Sequence, residues 1–178
     1  MAVADAQVPP VLMTMDEYLR TSFRPDCDFV DDHIEERHVG DLLHSLLQME
    51  VAFWFRSRQQ EWKVRTMPEL RTRVSASRVR LPDVSVAHDD GAIGERVRSS
   101  ALLIAIEILS PEDRLSRVLV RLEDYLKMGT AHIWLLDPEE RIAFVYTDAG
   151  LKQVHTSRLE VAGTPIYMDL NEVFAGLD

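Results

Sequence analysis

The run ALLIAIEILS (101–110) carries a single charge, Glu107, in ten residues. A stretch this apolar reads as a central strand covered on both faces, because a half-exposed strand would alternate. PEDRLSRVLVRLEDYLKMG (111–129) follows at helical spacing. Pro111 opens the predicted helix, Leu115, Leu119, Leu122 and Leu126 form its apolar stripe, and Gly129 stands where a C-cap is expected. AHIWLLD (131–137) is then a second buried strand. Buried strand, helix and buried strand in succession point to an α/β fold built on a mixed central sheet flanked by helices.

The remaining segments fit around that unit. TMDE (14–17) is a capping box opening a short helix to about Ser22. CDFVDDHIEERHV (27–39) reads as a hairpin turning at Asp31-Asp32. DLLHSLLQMEVAFWFRSRQQ (41–60) is a long helix, with Leu43, Leu46, Leu47, Glu50 and Trp54 on one face. Three extended segments follow at 61–67, 69–75 and 79–88, then a polar loop at 88–100. The end of the chain predicts a hairpin around Asp148-Ala149-Gly150 and a short closing helix at 169–177. No linker or repeat divides the 178 residues, so one domain over 1–178 is expected, with 1–11 as a loose arm.

No apolar run approaches the roughly 18–20 residues of a membrane span. The first residues show neither a basic region nor a clean apolar core of a secretory signal. The one cysteine, Cys27, excludes a disulfide framework and a multi-cysteine zinc site. The expectation is a cytoplasmic protein without a membrane partner. The net charge of −10 argues against a general nucleic-acid coat, but the charge is uneven. Arg56 to Arg98 holds ten Lys/Arg against six Asp/Glu, a net +4, which leaves −14 on the rest of the chain. That segment is either a local basic face or the solvated surface of its strands.

Two predicted core strands each contain one acid: Asp83 in LPDVSV and Glu107 in AIEILS. Carboxylates on neighbouring strands repel unless something positive lies between them. A divalent cation does this well, since Mg²⁺ takes oxygen ligands and needs only one or two carboxylates plus water. Pro82 suits an irregular or edge position that would expose the acid after it. The residues alone leave another account open, in which Asp83 caps a turn and Glu107 pairs with an arginine. Glu50, a carboxylate on an apolar stripe, likewise needs a partner, a pKa shift or a place at the rim.

VRLPDVSVAH (79–88), LLIAIEILSPEDR (102–114) and RLEDYLKMGTAHIWLLDPEERIAFVY (121–146), in this order, resemble the Uma2 family (DUF820) of the PD-(D/E)XK restriction-endonuclease-like superfamily. DFVDDHIEERHVGDLLHSLLQ (28–48) resembles the family's N-terminal hairpin and histidine-bearing helix. The resemblance covers roughly residues 12–147. It implies a restriction-endonuclease-like core, with Asp83 and Glu107 binding Mg²⁺ or Mn²⁺, Glu50 as a third acid from the first long helix, and His44 as an accessory group. The usual lysine position two residues after the second acid is Leu109 here. Uma2-like sequences often carry that lysine on the next helix, where this chain has Arg121. Arginine can hold a phosphate but cannot readily act as a base. Arg114, Arg117 and Arg121 share a helical stripe that could line a phosphate path or pair with nearby acids.

The expected function is metal-dependent hydrolysis of DNA phosphodiesters, with a homodimer expected from how double-strand cutters work. The alternative is a degenerate nuclease-like scaffold that binds nucleic acid or protein without cutting. No Gly-rich phosphate loop, G-x-S-x-G elbow or cysteine motif supports other chemistry. Ser110 reads as a helix cap, His88 as a loop residue, and the three tryptophans as packing.

Overall fold

The structure is a computed structural model that describes residues 12–37, 40–91 and 96–178. The arm expected over 1–11, the last residues of the predicted N-terminal hairpin, and part of the 88–100 loop lie outside the described residues.

The chain opens with α1 (Met15–Arg20), capped by Thr14 and Glu17 in the predicted capping box. β1 (Asp28–Val30) and β2 (His33–Glu35) form the expected hairpin, with Asp31 and Asp32 both at positive φ. α2 (Leu42–Trp62) is capped by Asp41, whose carboxylate accepts from the His44 amide. β3 (Val64–Pro68), β4 (Thr72–Arg73), β5 (Arg78–Arg80), β6 (Val84–His88) and β7 (Ile104–Ile108) follow. α3 (Leu115–Met128) leads to β8 (His132–Asp137), β9 (Ile142–Thr147) and β10 (Gly150–Gln153). A hairpin of β11 (Arg158–Glu160) and β12 (Tyr167–Asp169), which the sequence reading missed, precedes α4 (Leu170–Ala175).

The strands β10-β9-β8-β7-β6-β3 make a six-stranded mixed sheet. Only β7 and β8 are parallel within it, and α3 connects them. β2-β1-β5-β4 form a second, antiparallel sheet. The run 79–88 is thus not one strand. It divides at Leu81-Pro82-Asp83 between β5 in the small sheet and β6 in the large one. Pro82 offers no amide to a ladder, which fits a crossing between sheets.

Side chains alternate across the large sheet with period two. Val84, Val86, Ile104, Ile106 and Ile108 pack with α2, α4 and β12 on one face. Ala87 and Ala105 pack with Val118, Leu122 and Tyr125 of α3 on the other. Trp54, Trp62 and Trp134 are all core residues. Tyr18 of α1 joins Phe29 and Val79 under the small sheet. Among the described residues no helix is long and apolar enough to cross a membrane.

Two helical expectations shift. α3 starts at Leu115 rather than Pro111, because Asp113 braces a turn ahead of it. Its amide donates to the Ser110 carbonyl and its carboxylate accepts from the Ser110 amide. Ser110 is therefore part of that turn, and the helix N-cap is Arg114. The buried stripe of α3 is Val118, Leu122 and Tyr125, while Leu115 is 53% exposed. His88 ends β6 and is exposed.

Gly129 ends α3 at φ 91°, as its position predicts. A Cβ there would meet nothing nearer than the Ala101 methyl at 3.9 Å, so any penalty is conformational. Gly129→Ala should lower stability by about 1 kcal/mol, read as a lower urea midpoint with unchanged slope.

Candidate functional site

The antiparallel register sets Val84 opposite Ile106. Asp83, one residue before β6, therefore lies across from Glu107, near the carboxyl end of β7. Both acids are buried, at 2% and 1% exposure. Crevices outside the carboxyl ends of strands are where open α/β sheets usually bind ligands. Here that end opens on a cavity of about 210 Å³ whose lining includes Arg37, His44, Gln48, Asp83, Glu107 and Arg121.

Asp83 is held from three elements. Its Oδ1 accepts from Arg37 Nη2 at 2.5 Å. Its Oδ2 accepts from the Ile108 amide at 2.7 Å and faces His44 Nε2 at 3.3 Å. Gln48 Nε2 donates to the Asp83 carbonyl at 3.0 Å. Burial would raise the Asp83 pKa, but the His44 hydrogen bond, the Arg37 charge and the Ile108 amide together hold it below the usual carboxylate range.

Among the described residues, the side-chain donors to Glu107 both come from α3. Tyr125 Oη donates to Oε1 at 2.6 Å, and Arg121 Nε donates to Oε2 at 3.0 Å. Burial pushes Glu107 up to about 7, against the pull of Arg121 and with a further push from Asp83. The two acids are thus driven apart, with Asp83 the more acidic member. His44 is raised, since Asp83 outweighs the effect of burial, and burial lifts Tyr125 well above a free phenol.

Of the residues singled out in the sequence, Asp83, Glu107, Arg121 and His44 meet at this cavity. Glu50 does not. It is half-buried beside Gly176, where an added Cβ would lie 2.5 Å from Glu50 Cγ. The reason is helical phase: His44 and Gln48 occupy the α2 face turned to the cavity, and Glu50 falls on another. Arg117 is exposed and lines an adjoining cavity of about 240 Å³, together with Asp28, Glu35, Arg37, Asp113 and Arg121. Arg114 is exposed at the helix start.

Arg37 and Tyr125 contact the acids and went unremarked in the sequence. Tyr125 stands four residues after Arg121, one turn along α3, which could have signalled it. Arg37 follows two glutamates in a charged stretch and carries no comparable signal.

Among the described residues no three His, Cys, Asp or Glu side chains gather as a ready cage for a metal. The donor set that does exist is two carboxylates on one cavity. Glu107 accepts two hydrogen bonds and Asp83 Oδ1 accepts one, so lone pairs remain on both. Two oxygen donors completed by water fit Mg²⁺ or Mn²⁺, which does not require an all-protein cage.

The family model described as "Putative restriction endonuclease", Uma2, matches residues 15–177. The fold is similar to the crystal structure of a "putative nuclease belonging to DUF820" from Anabaena variabilis. That match has a TM-score of 0.80 at 24% identity and covers 93% of this chain and 99% of the other. No curated protein matches the chain.

Proposed function

Since this chain belongs to the Uma2 family, we propose that it is a divalent-metal-dependent nuclease that hydrolyses DNA phosphodiesters. One observation carries this reading: two buried acids from adjacent strands border one cavity, with an arginine against the second. Families of this kind generally use divalent metals. Asp83 and Glu107 would hold Mg²⁺ or Mn²⁺. A cation there supplies positive charge for the phosphate and makes bound water more acidic.

The chain's own residues do the remaining work. His44 and the Ile108 amide orient the Asp83 carboxylate. Tyr125 fixes Glu107 from behind. Arg121 keeps its charge, binds the phosphate and stabilises the transition state, and it is not the base. Arg117 contacts a neighbouring phosphate at the rim. Glu50 has no part, because it faces away from the cavity.

The test is cleavage of plasmid and single-stranded DNA in Mn²⁺ and in Mg²⁺. Wild type should cut with either ion and stop when the ion is chelated. Arg121→Ala should lower the rate by about 10²–10³-fold, as expected for removing one transition-state-stabilising group. Arg121→Lys should retain most activity. Equal rates for wild type and Arg121→Ala would remove the arginine from the mechanism.

One observation favours a second reading, a scaffold that binds nucleic acid without cutting. Each acid already has a guanidinium partner, Arg37 on Asp83 and Arg121 on Glu107. Salt-sensitive DNA binding with no cleavage in either ion would select it.

A further inference from the structure

We propose that Arg37 occupies two positions, as the tethered counter-ion of Asp83 while no cation is bound and as a ligand of the substrate phosphate once a cation takes its place. This rests on the cation site proposed above.

Asp83 has one partner of permanent charge among the described residues, Arg37, on Oδ1. The donors on Oδ2 are a backbone amide and a histidine. A cation approaching Asp83 therefore meets competition chiefly from Arg37. The guanidinium cannot yield by losing its proton, so it must leave with its charge. Its other carboxylate partner among the described residues is Glu69, an ion pair at 3.8 Å with a 55% exposed side chain. Arg37 also lines both cavities, the one at the acids and the adjoining one that contains Arg117. A displaced side chain thus already lies in the space a polynucleotide must enter, where the arriving anion is a phosphate.

Arg121 differs. It sits on α3, and Asp113 backs it at 3.5 Å in addition to Glu107. Arg37 lies two residues after the end of β2, outside any helix or strand. Of the two arginines, Arg37 is the one with the looser second partner and no helix under it, and the change of acceptor falls to it.

The experiment is a calorimetric Mn²⁺ titration of the full chain as wild type, Arg37→Ala and Arg37→Gln, with Asp83→Ala as the site control. Circular dichroism checks that each variant is folded, and the glutamine variant keeps a polar side chain should alanine fail to fold. Either Arg37 variant should bind Mn²⁺ at least about tenfold more tightly, the change expected for removing one competing charge-assisted hydrogen bond. A phosphorothioate DNA duplex, which keeps its charges and resists hydrolysis, supplies the second readout. In saturating Mn²⁺ the Arg37 variants should lose about one unit of the logarithmic salt dependence of binding. Without Mn²⁺ their slope should equal that of wild type.

Unchanged or weaker Mn²⁺ binding by folded Arg37 variants, with wild type binding and Asp83→Ala not, overturns the inference and leaves the cation site standing. A slope that falls equally with and without Mn²⁺, or not at all, also overturns it. Wild type that binds no Mn²⁺ overturns the cation site, and this inference with it.

Discussion

Asp83→Asn is expected to abolish the proposed DNA cleavage, with a loss of at least about 10²–10³-fold. Asparagine keeps the size of the side chain and an oxygen to accept the Ile108 amide, which donates to Asp83 Oδ2 at 2.7 Å. What it removes is the charge of one of the two proposed cation ligands, the acid whose pKa the site holds down. The amide that replaces Oδ1 would meet the Arg37 guanidinium donor to donor, so activity and folding must be read side by side. The check is a time course of plasmid nicking beside a thermal melt. A variant that cuts at a tenth of the wild-type rate or faster would remove Asp83 from the reaction. Loss of cutting together with a collapsed melt would show only that the acid is structural.

The largest expected effect on stability belongs to Arg80, which is 1% exposed. Its Nε donates to Asp124 at 2.8 Å, and its Nη1 donates to Asp28 and to Glu35, each at 2.9 Å. Asp28 and Asp124 are themselves buried, at 2% and 5% exposure. Arg80→Ala would strip Asp28 of its ion-pair partner among the described residues and leave Asp124 to Arg78 alone, a change of about 3–5 kcal/mol. Against a total stability of about 5–15 kcal/mol, that brings the chain close to unfolding at working temperature. Arg80→Lys should recover little, since an ammonium cannot reproduce the planar fork that meets several carboxylates at once. Urea melts of the two variants and wild type measure this. A loss below about 1 kcal/mol for alanine would mean the acids find other partners.

The same residue shows where sequence reasoning stops. Asp83 and Glu107 were legible because each is an acid in an apolar run, and such a residue needs a reason to be there. Arg121 was legible through the resemblance, at the position of a lysine. Arg80 stands between Val79 and Leu81 in a mixed stretch, its acids come from β1, β2 and α3, and no local pattern joins those segments. Arg37 is hidden for the same reason, lying 46 residues from Asp83.

Glu50 failed for a different reason. Apolar spacing places Glu50 beside Leu46, Leu47 and Trp54, but it does not say which side of a 21-residue helix meets the cavity. The core takes Leu47, Val51, Trp54 and Phe55, which leaves His44 and Gln48 to reach Asp83. The β11–β12 hairpin escaped because its strands are three residues each, too short to show a period. The sheet order and the division of 79–88 between two sheets follow from which strands pair, and pairing is a tertiary fact.

That division has a bearing on the order in which the molecule assembles. The contacts on Glu107 close loops of 14 and 18 residues within one strand–helix unit. Those that join Asp83 to Arg37 and Arg80 to Asp28 span 46 and 52. Longer loops close at higher entropic cost, by about 1 kcal/mol for this difference in length. The Glu107 half can form while the small sheet is still undocked, and Asp83 gains its Arg37 partner only when that sheet arrives. A nascent or partly unfolded chain would then hold both acids on the large sheet yet leave Asp83 without its arginine, so that pairing is completed last and lost first.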